Sequence, residues 1–351
     1  MLDVLLSINI RGEVVVEDKG FISIIALFTM SIILISSLFL IYTSNLEYLI
    51  VNYSQNNIQA YYLAESKIHI VLNKDEYYYD QLMPKIKKYI RYGRIGGTSN
   101  RRIILDNKDL YKEDNNNIVK LNFIEDNRRY LELETYSTYS GIKKNVIVRT
   151  TIINDLFEMK VPVLSKRLIH PDKIKKFENY ILTLEDSIEI PDSSSDIIGI
   201  ESMDYEEIRI IKDLDSRTNI EYYRNNMEFP VKEEVLVEEE VFIISRNDNF
   251  FPNLIIESEN DSDKVTLKGI LYIEGDLNIH NDFQFCGILI VNNGEIYIDS
   301  SRDVNIEGIV LLNNCCQDFN VDDRININYN LHEIKNYGIY LPNFIEPAVQ
   351  V

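Results

Sequence analysis

The longest uninterrupted pattern in the chain is apolar. From Phe21 to Tyr42 the sequence "FISIIALFTMSIILISSLFLIY" carries no charge. At ~1.5 Å per residue a helix of that stretch is roughly 33 Å long, enough for a hydrocarbon core of ~30 Å. A buried core helix of this purity would be unusual. A secretory signal would have a shorter apolar core followed by small residues at a cleavage site, and none follows here. Instead the pattern changes period. In "TSNLEYLIVNYSQNNIQAYYLAESKIHIVL" (Thr43 to Leu72), Leu46, Leu49, Ile50, Tyr53, Ala60, Tyr61, Ala64, Ile68 and Leu72 fall mostly at helical spacing, interrupted by Asn57. The reading is one helix of about 50 residues, apolar all round in its first half and amphipathic in its second.

Beyond Pro84 and the Gly93, Gly96 and Gly97 group the pattern turns to strands. "RRYLELETYSTYSGIKKNVIVRTTII" (Arg128 to Ile153) predicts two strands about a turn at Ser140-Gly141. "HPDKIKKFENYILTLED" (His170 to Asp186) has Pro at a helix start and helical spacing, and "KEEVLVEEE" (Lys232 to Glu240) reads as a solvated linker or edge. The last third repeats itself: "GILYIEGDLNI" from Gly269, "GILIVNNGEIYI" from Gly287 and "GIVLLNN" from Gly308, with glycines 18 and 21 residues apart. Such a period fits the coils of a β-solenoid, each rung starting at a glycine and stacking on the next. An antiparallel meander with its glycines at hairpins is the alternative.

Composition narrows the function. The formal charge of −20 opposes binding to phosphate backbones and to anionic lipid headgroups, and no nucleic-acid partner is expected. The one basic cluster, "IKKYIRYGRIGGTSNRR" (Ile86 to Arg102), reads as a solvated face. Three cysteines (Cys286, Cys315, Cys316) make no disulfide framework, though the last two are neighbours. His69, His170, His280 and His332 lack metal-ligand spacing, and "ESENDSDK" (Glu257 to Lys264) lacks the full loop of a calcium site. No column of carboxylates marks a glycan-cleaving groove. Neither a catalytic residue, nor a metal, nor a cofactor is expected from these patterns.

Ahead of the apolar run stands a polar stretch ending in Gly20, with Phe21 next and "QAYYLAES" (Gln59 to Ser66) farther along the helix. In these features the chain resembles a type IV prepilin, most closely the PilX-type minor pilins and pseudopilins of Gram-positive bacteria, many of which also end in a glycine-started repeat. The resemblance implies cutting by a prepilin peptidase between Gly20 and Phe21. It implies membrane and filament packing through Phe21, Ile25, Leu34, Tyr42, Tyr61, Leu63, Ala64 and Glu65. It also implies as partners the other pilins, the inner assembly machinery and the membrane. Two positions depart from that family. Ile25 stands at the fifth mature position, where major pilins carry a glutamate, and Lys67 stands where glycine is usual. Ile25 is similar to the residue found in subunits that prime assembly or sit at a filament tip.

The expected architecture is therefore α+β: a leader over 1–20, a membrane-spanning and amphipathic helix over 21–92, and a pilin-like β-rich region over 93–165. A mixed region over 166–240 and a β-solenoid over 241–351 would follow. With Arg11 and Lys19 before the span and the next lysine only at Lys67, the N-terminus is expected inside the cell and the bulk outside. A membrane-anchored surface protein whose solenoid binds a cell-wall or extracellular ligand is the alternative function.

Overall fold

The computed structural model describes residues 3–347 except 112–113, 115, 126–127, 192–196, 225–226, 237–238, 248 and 316–323, and gives the backbone alone for 3–19 and 98–99. The chain is α+β: one long N-terminal apolar helix and a β-rich remainder. It divides into two compact units. The first comprises the chain through Lys67 with Asp106–Asn117 and Thr135–Val146, and the second comprises the rest.

Helix α1 runs unbroken from Asp3 to Asn73. From Phe21 onward it contains neither Gly nor Pro, and several of its hydroxyls bond back to its own carbonyls. Thr29 Oγ1 donates to Ile25 O at 3.0 Å, and Ser31, Ser36 and Ser37 donate to Leu27, Ile32 and Ile33 at 2.8 Å each. The hydroxyls of Thr29, Ser31, Ser36 and Ser37 are thus satisfied inside the helix, the condition for facing hydrocarbon.

The break falls at Lys74, whose backbone is extended. A single turn α2 (Asp75–Tyr77), a π-turn (Tyr78–Leu82) and α3 (Met83–Tyr92) follow. Pro84, read as ending the helical region, instead opens α3, where its missing N–H costs nothing. Four strands then form a sheet in the order β1 (Arg102–Ile104), β2 (Ile118–Glu125), β3 (Arg129–Tyr139), β4 (Ile142–Thr151). Ser140 and Gly141 join the last two with positive φ of 47° and 80°, the conformation a tight hairpin requires.

The remainder of the second unit is strand β5 (Val163–Ser165), helix α4 (Pro171–Ser187), then β6 (Ile198–Ser202), β7 (Glu207–Lys212), β8 (Thr218–Tyr223), β9 (Lys232–Leu236), β10 (Glu240–Ser245) and β11 (Asn253–Ser258). It closes with β12 (Val265–Ile273), β13 (Asp276–Ile279), β14 (Phe283–Asn292), β15 (Ile296–Ile298), β16 (Val304–Asn313), β17 (Ile325–Tyr329) and α5 (Leu331–Gly338). His170 caps α4 and Pro171 opens it. The charge run over 232–240 supplies the edge strand β9 and the start of β10.

From β10 to β16 the chain alternates between two open sheets. One has the order β17-β16-β14-β12-β10-β6, with β5 also paired to β16, and all of these pairings are parallel. The other runs β15-β13-β11-β7 in parallel and then β8-β9 antiparallel. Side chains from both, among them Leu271, Phe285, Val310, Ile208, Leu254 and Leu277, fill a common core. The parallel registers remove the antiparallel meander for the glycine repeats. Both sheets take strands from Ile198 onward, inside the stretch read as mixed.

The repeat glycines sit elsewhere than expected. Gly269, Gly287 and Gly308 do not start their rungs; each is the fifth residue of β12, β14 and β16, and they stack in register. Their φ values are 125°, 148° and 149°, and a Cβ on any of them would come within 1.9 Å of the backbone carbonyl below. Before the glycine each strand alternates buried and half-buried residues; after it every residue is buried. After the glycine these strands read as continuous apolar runs, the pattern of strands covered on both faces, and α5 packs on β14 and β16.

Candidate functional site

Two features of the first unit stand out: an apolar helix surface left exposed, and a charged pair where apolar residues are expected. Phe21, Ile25, Leu34 and Tyr42 are all exposed, as is nearly all of α1 from Gly20 to Gln59. Of the predicted amphipathic face, Ala60, Ala64 and Ile68 are buried, whereas Leu46, Leu49, Ile50 and Tyr53 are not. Tyr61 is exposed and stacks edge-on against Tyr62, while Leu63 and Glu65 are half-buried. The chain covers its own helix only from Ala60 on.

The charged pair was not anticipated. Lys67 lies three residues beyond Ala64 and four before Val71, on the buried face of α1. Its Nζ stands 2.5 Å from Asp114 Oδ2, with 3% and 1% of the two side chains exposed. It also donates to Asn116 O at 2.6 Å and Tyr136 O at 2.9 Å, so an ammonium finds an acceptor for each of its three protons. Burial pulls the Lys67 pKa below its usual value, and the hydrogen bond and charge of Asp114 pull it back up.

Asp114 is held in turn. Its Oδ1 accepts from Asn116 N at 3.1 Å and its Oδ2 from Ser137 Oγ at 2.5 Å. Asn116 Nδ2 donates to Thr135 Oγ1 and Tyr136 O at 3.1 and 2.8 Å. The network ties α1 to the 114–116 segment and to β3. Chemically it is a satisfied ion pair: it fixes geometry and offers no free nucleophile. One signal was legible in advance, the lone lysine on an otherwise apolar helical face.

The other sequence candidates sit apart from this pair. Asn281 uses its side chain to bind the backbone of the 257–264 loop, accepting from Ser258 N at 2.9 Å and donating to Asn260 O and Asp261 O at 3.4 and 3.3 Å. His280 meets Asp299 at 3.0 Å on the surface. Among the described residues no His, Cys, Asp and Glu group is arranged to hold a metal ion. Cys316, and with it any bond between the neighbouring cysteines, lies outside the described residues.

Among the described residues one helix, Gly20–Asn73, is long and apolar enough to cross a membrane. No family model, curated protein or solved structure matches the chain.

Proposed function

We propose that the chain is a non-enzymatic minor pilin or pseudopilin, a structural or tip-priming subunit of a type IV pilus or related secretion filament. The observation that carries this reading is the division of α1: exposed apolar surface through Tyr53, and a stripe from Ala60 that the chain covers itself. A surface of that size is unstable in water and calls for lipid, for other helices, or for each in turn. A subunit that waits in the membrane and then packs helix to helix needs both surroundings. The span would leave the N-terminus inside, with Arg11 and Lys19 on the inner side, and the body outside the cell.

The alternating parallel sheets from β10 to β16 support a short β-solenoid, displayed outward. Gly20 and Phe21 are the processing site in this reading. The backbone is helical on both sides of that bond, and glycine, a weak helix former, eases local unwinding for a peptidase.

The test is the N-terminal mass of the protein extracted from its own cell membranes. A chain beginning at methylated Phe21 is expected. A chain that keeps residues before Phe21 removes the prepilin reading and leaves a permanent membrane anchor, whose sheets would then bind a cell-wall or extracellular ligand.

A further inference from the structure

At the tip of the β3–β4 hairpin, Ser140 and Ile142 border an open groove of about 490 Å³. Its other wall is α1, through Leu46, Leu49, Ile50 and Tyr53. The groove is mainly apolar, and none of its lining residues is acidic. Its height above the span follows from helix geometry. Leu46 lies ~6 Å and Tyr53 ~16 Å past Tyr42, the last residue of the charge-free run, along the helix axis. A bilayer ~40–45 Å thick around a ~30 Å core leaves a headgroup layer of roughly 5–8 Å on each side, and a tilted helix brings the groove nearer to it.

The tip carries charge of one sign. Lys143 is exposed with its Nζ 3.7 Å from the Tyr136 ring centre, and Lys144 follows it, half-buried. Tyr42, Tyr48 and Tyr53 are exposed along the same length of helix, the residue type enriched where membrane meets water. Basic side chains beside exposed apolar ones match an anionic lipid surface locally, against the acidic Glu47 at that height and the net negative charge of the whole chain.

We propose that, in the unassembled chain, the β3–β4 tip rests on the membrane that α1 crosses. Leu46, at the lower end of the groove, sits within the headgroup layer, and Lys143 and Lys144 meet anionic headgroups. The contact would hold the hairpin against the bilayer until another subunit's helix replaces the lipid. The proposal rests on the membrane-spanning reading of α1.

The experiment uses the full chain, with its three cysteines replaced by serine, reconstituted at low protein-to-lipid ratio. A fluorophore is placed at Ser140→Cys or, as a second reporter of the tip, at Asn145→Cys; Leu34→Cys reports the span. Vesicles are phosphatidylcholine with or without phosphatidylglycerol, and carry nitroxides on the headgroup or in mid-chain. The expected result is mid-chain quenching at position 34, together with headgroup quenching at the tip that is several-fold stronger in anionic vesicles. Lys143→Gln with Lys144→Gln should abolish that difference.

Quenching at 34 without quenching at the tip leaves the span standing and overturns the proposal. Quenching at neither site removes both. Equal tip quenching in neutral and anionic vesicles overturns the headgroup contact. Tip shielding that appears only as protein density rises assigns the groove to a second copy and overturns the proposal as well.

Discussion

Lys67 and Asp114 meet 2.5 Å apart inside the first unit, each almost wholly out of water, with Asn116, Tyr136 and Ser137 completing their hydrogen bonds. Removing two charges from water costs several kcal/mol per ion, and here the pair's attraction and its full set of hydrogen bonds offset that cost. Removing one partner leaves the other charged and buried. Lys67→Met alone should therefore destabilise the protein by about 3–5 kcal/mol, while Lys67→Met with Asp114→Leu should recover most of the loss. Chemical denaturation of the detergent-solubilised chain and both variants checks this. A single variant as stable as wild type would mean the pair is not buried as described.

Gly287 and Gly141 both have positive φ, yet their substitutions should differ widely. A Cβ on Gly287 would lie 1.9 Å from Gly269 O, a backbone atom that cannot yield without parting β12 from β14. A Cβ on Gly141 meets nothing within 4 Å. Gly141→Ala should cost about 1–2 kcal/mol, the backbone penalty alone. Gly287→Ala should exceed about 4 kcal/mol and sharply lower the yield of folded protein. Comparable unfolding midpoints for the two would show that the strands do not stack this closely.

These two cases mark how far the sequence was legible. The long helix could be read because charge-free composition and helical spacing are local properties. Which part of its apolar face is covered could not, since Ala60 and Leu46 differ only in what lies across from them. The glycine repeats could be read as repeats, but spacing carries no phase: it says that Gly269, Gly287 and Gly308 recur, not that they sit mid-strand. That placement depends on the carbonyl of the rung below. Strands β6 to β9 have no glycine in that column (Gly199 of β6 pairs with Phe242, one place past it), so nothing in the sequence tied them to the same sheets. Asp114 was invisible as a site because its partner, Lys67, is far away in sequence.

Buried Tyr223 and half-buried Tyr329 should set the alkaline limit of the second unit. Burial first, then the hydrogen bond and charge of Glu221, push the Tyr223 hydroxyl up to about 12; burial and the charge of Glu158 do the same for Tyr329. In the unfolded chain both would ionise near pH 10. The folded state thus holds protons that the unfolded state has lost, and stability present below about pH 10 falls as pH rises through about 12. Far-ultraviolet circular dichroism and tyrosinate absorbance followed across that window should change together. Tyrosinate formed in full near pH 10 with the sheet signal intact would contradict the burial.

Ile25 gives the last expectation, on the role within a filament. It is exposed on the apolar helix, and its carbonyl accepts from Thr29 Oγ1. A carboxylate there would help only if a neighbour's terminal amine lay opposite and needed a partner. In a subunit that primes assembly or sits at the tip, no such neighbour is present, and the added charge only weakens membrane insertion, by up to about 3 kcal/mol at a helix centre and less near its end. Ile25→Glu should therefore lower the amount of protein in the membrane and leave filament number no higher than wild type. Deletion of the protein should leave few filaments. Both are counted by electron microscopy of the native cells. More filaments with glutamate would place the subunit in the filament body, and normal filament number after deletion would end the priming role.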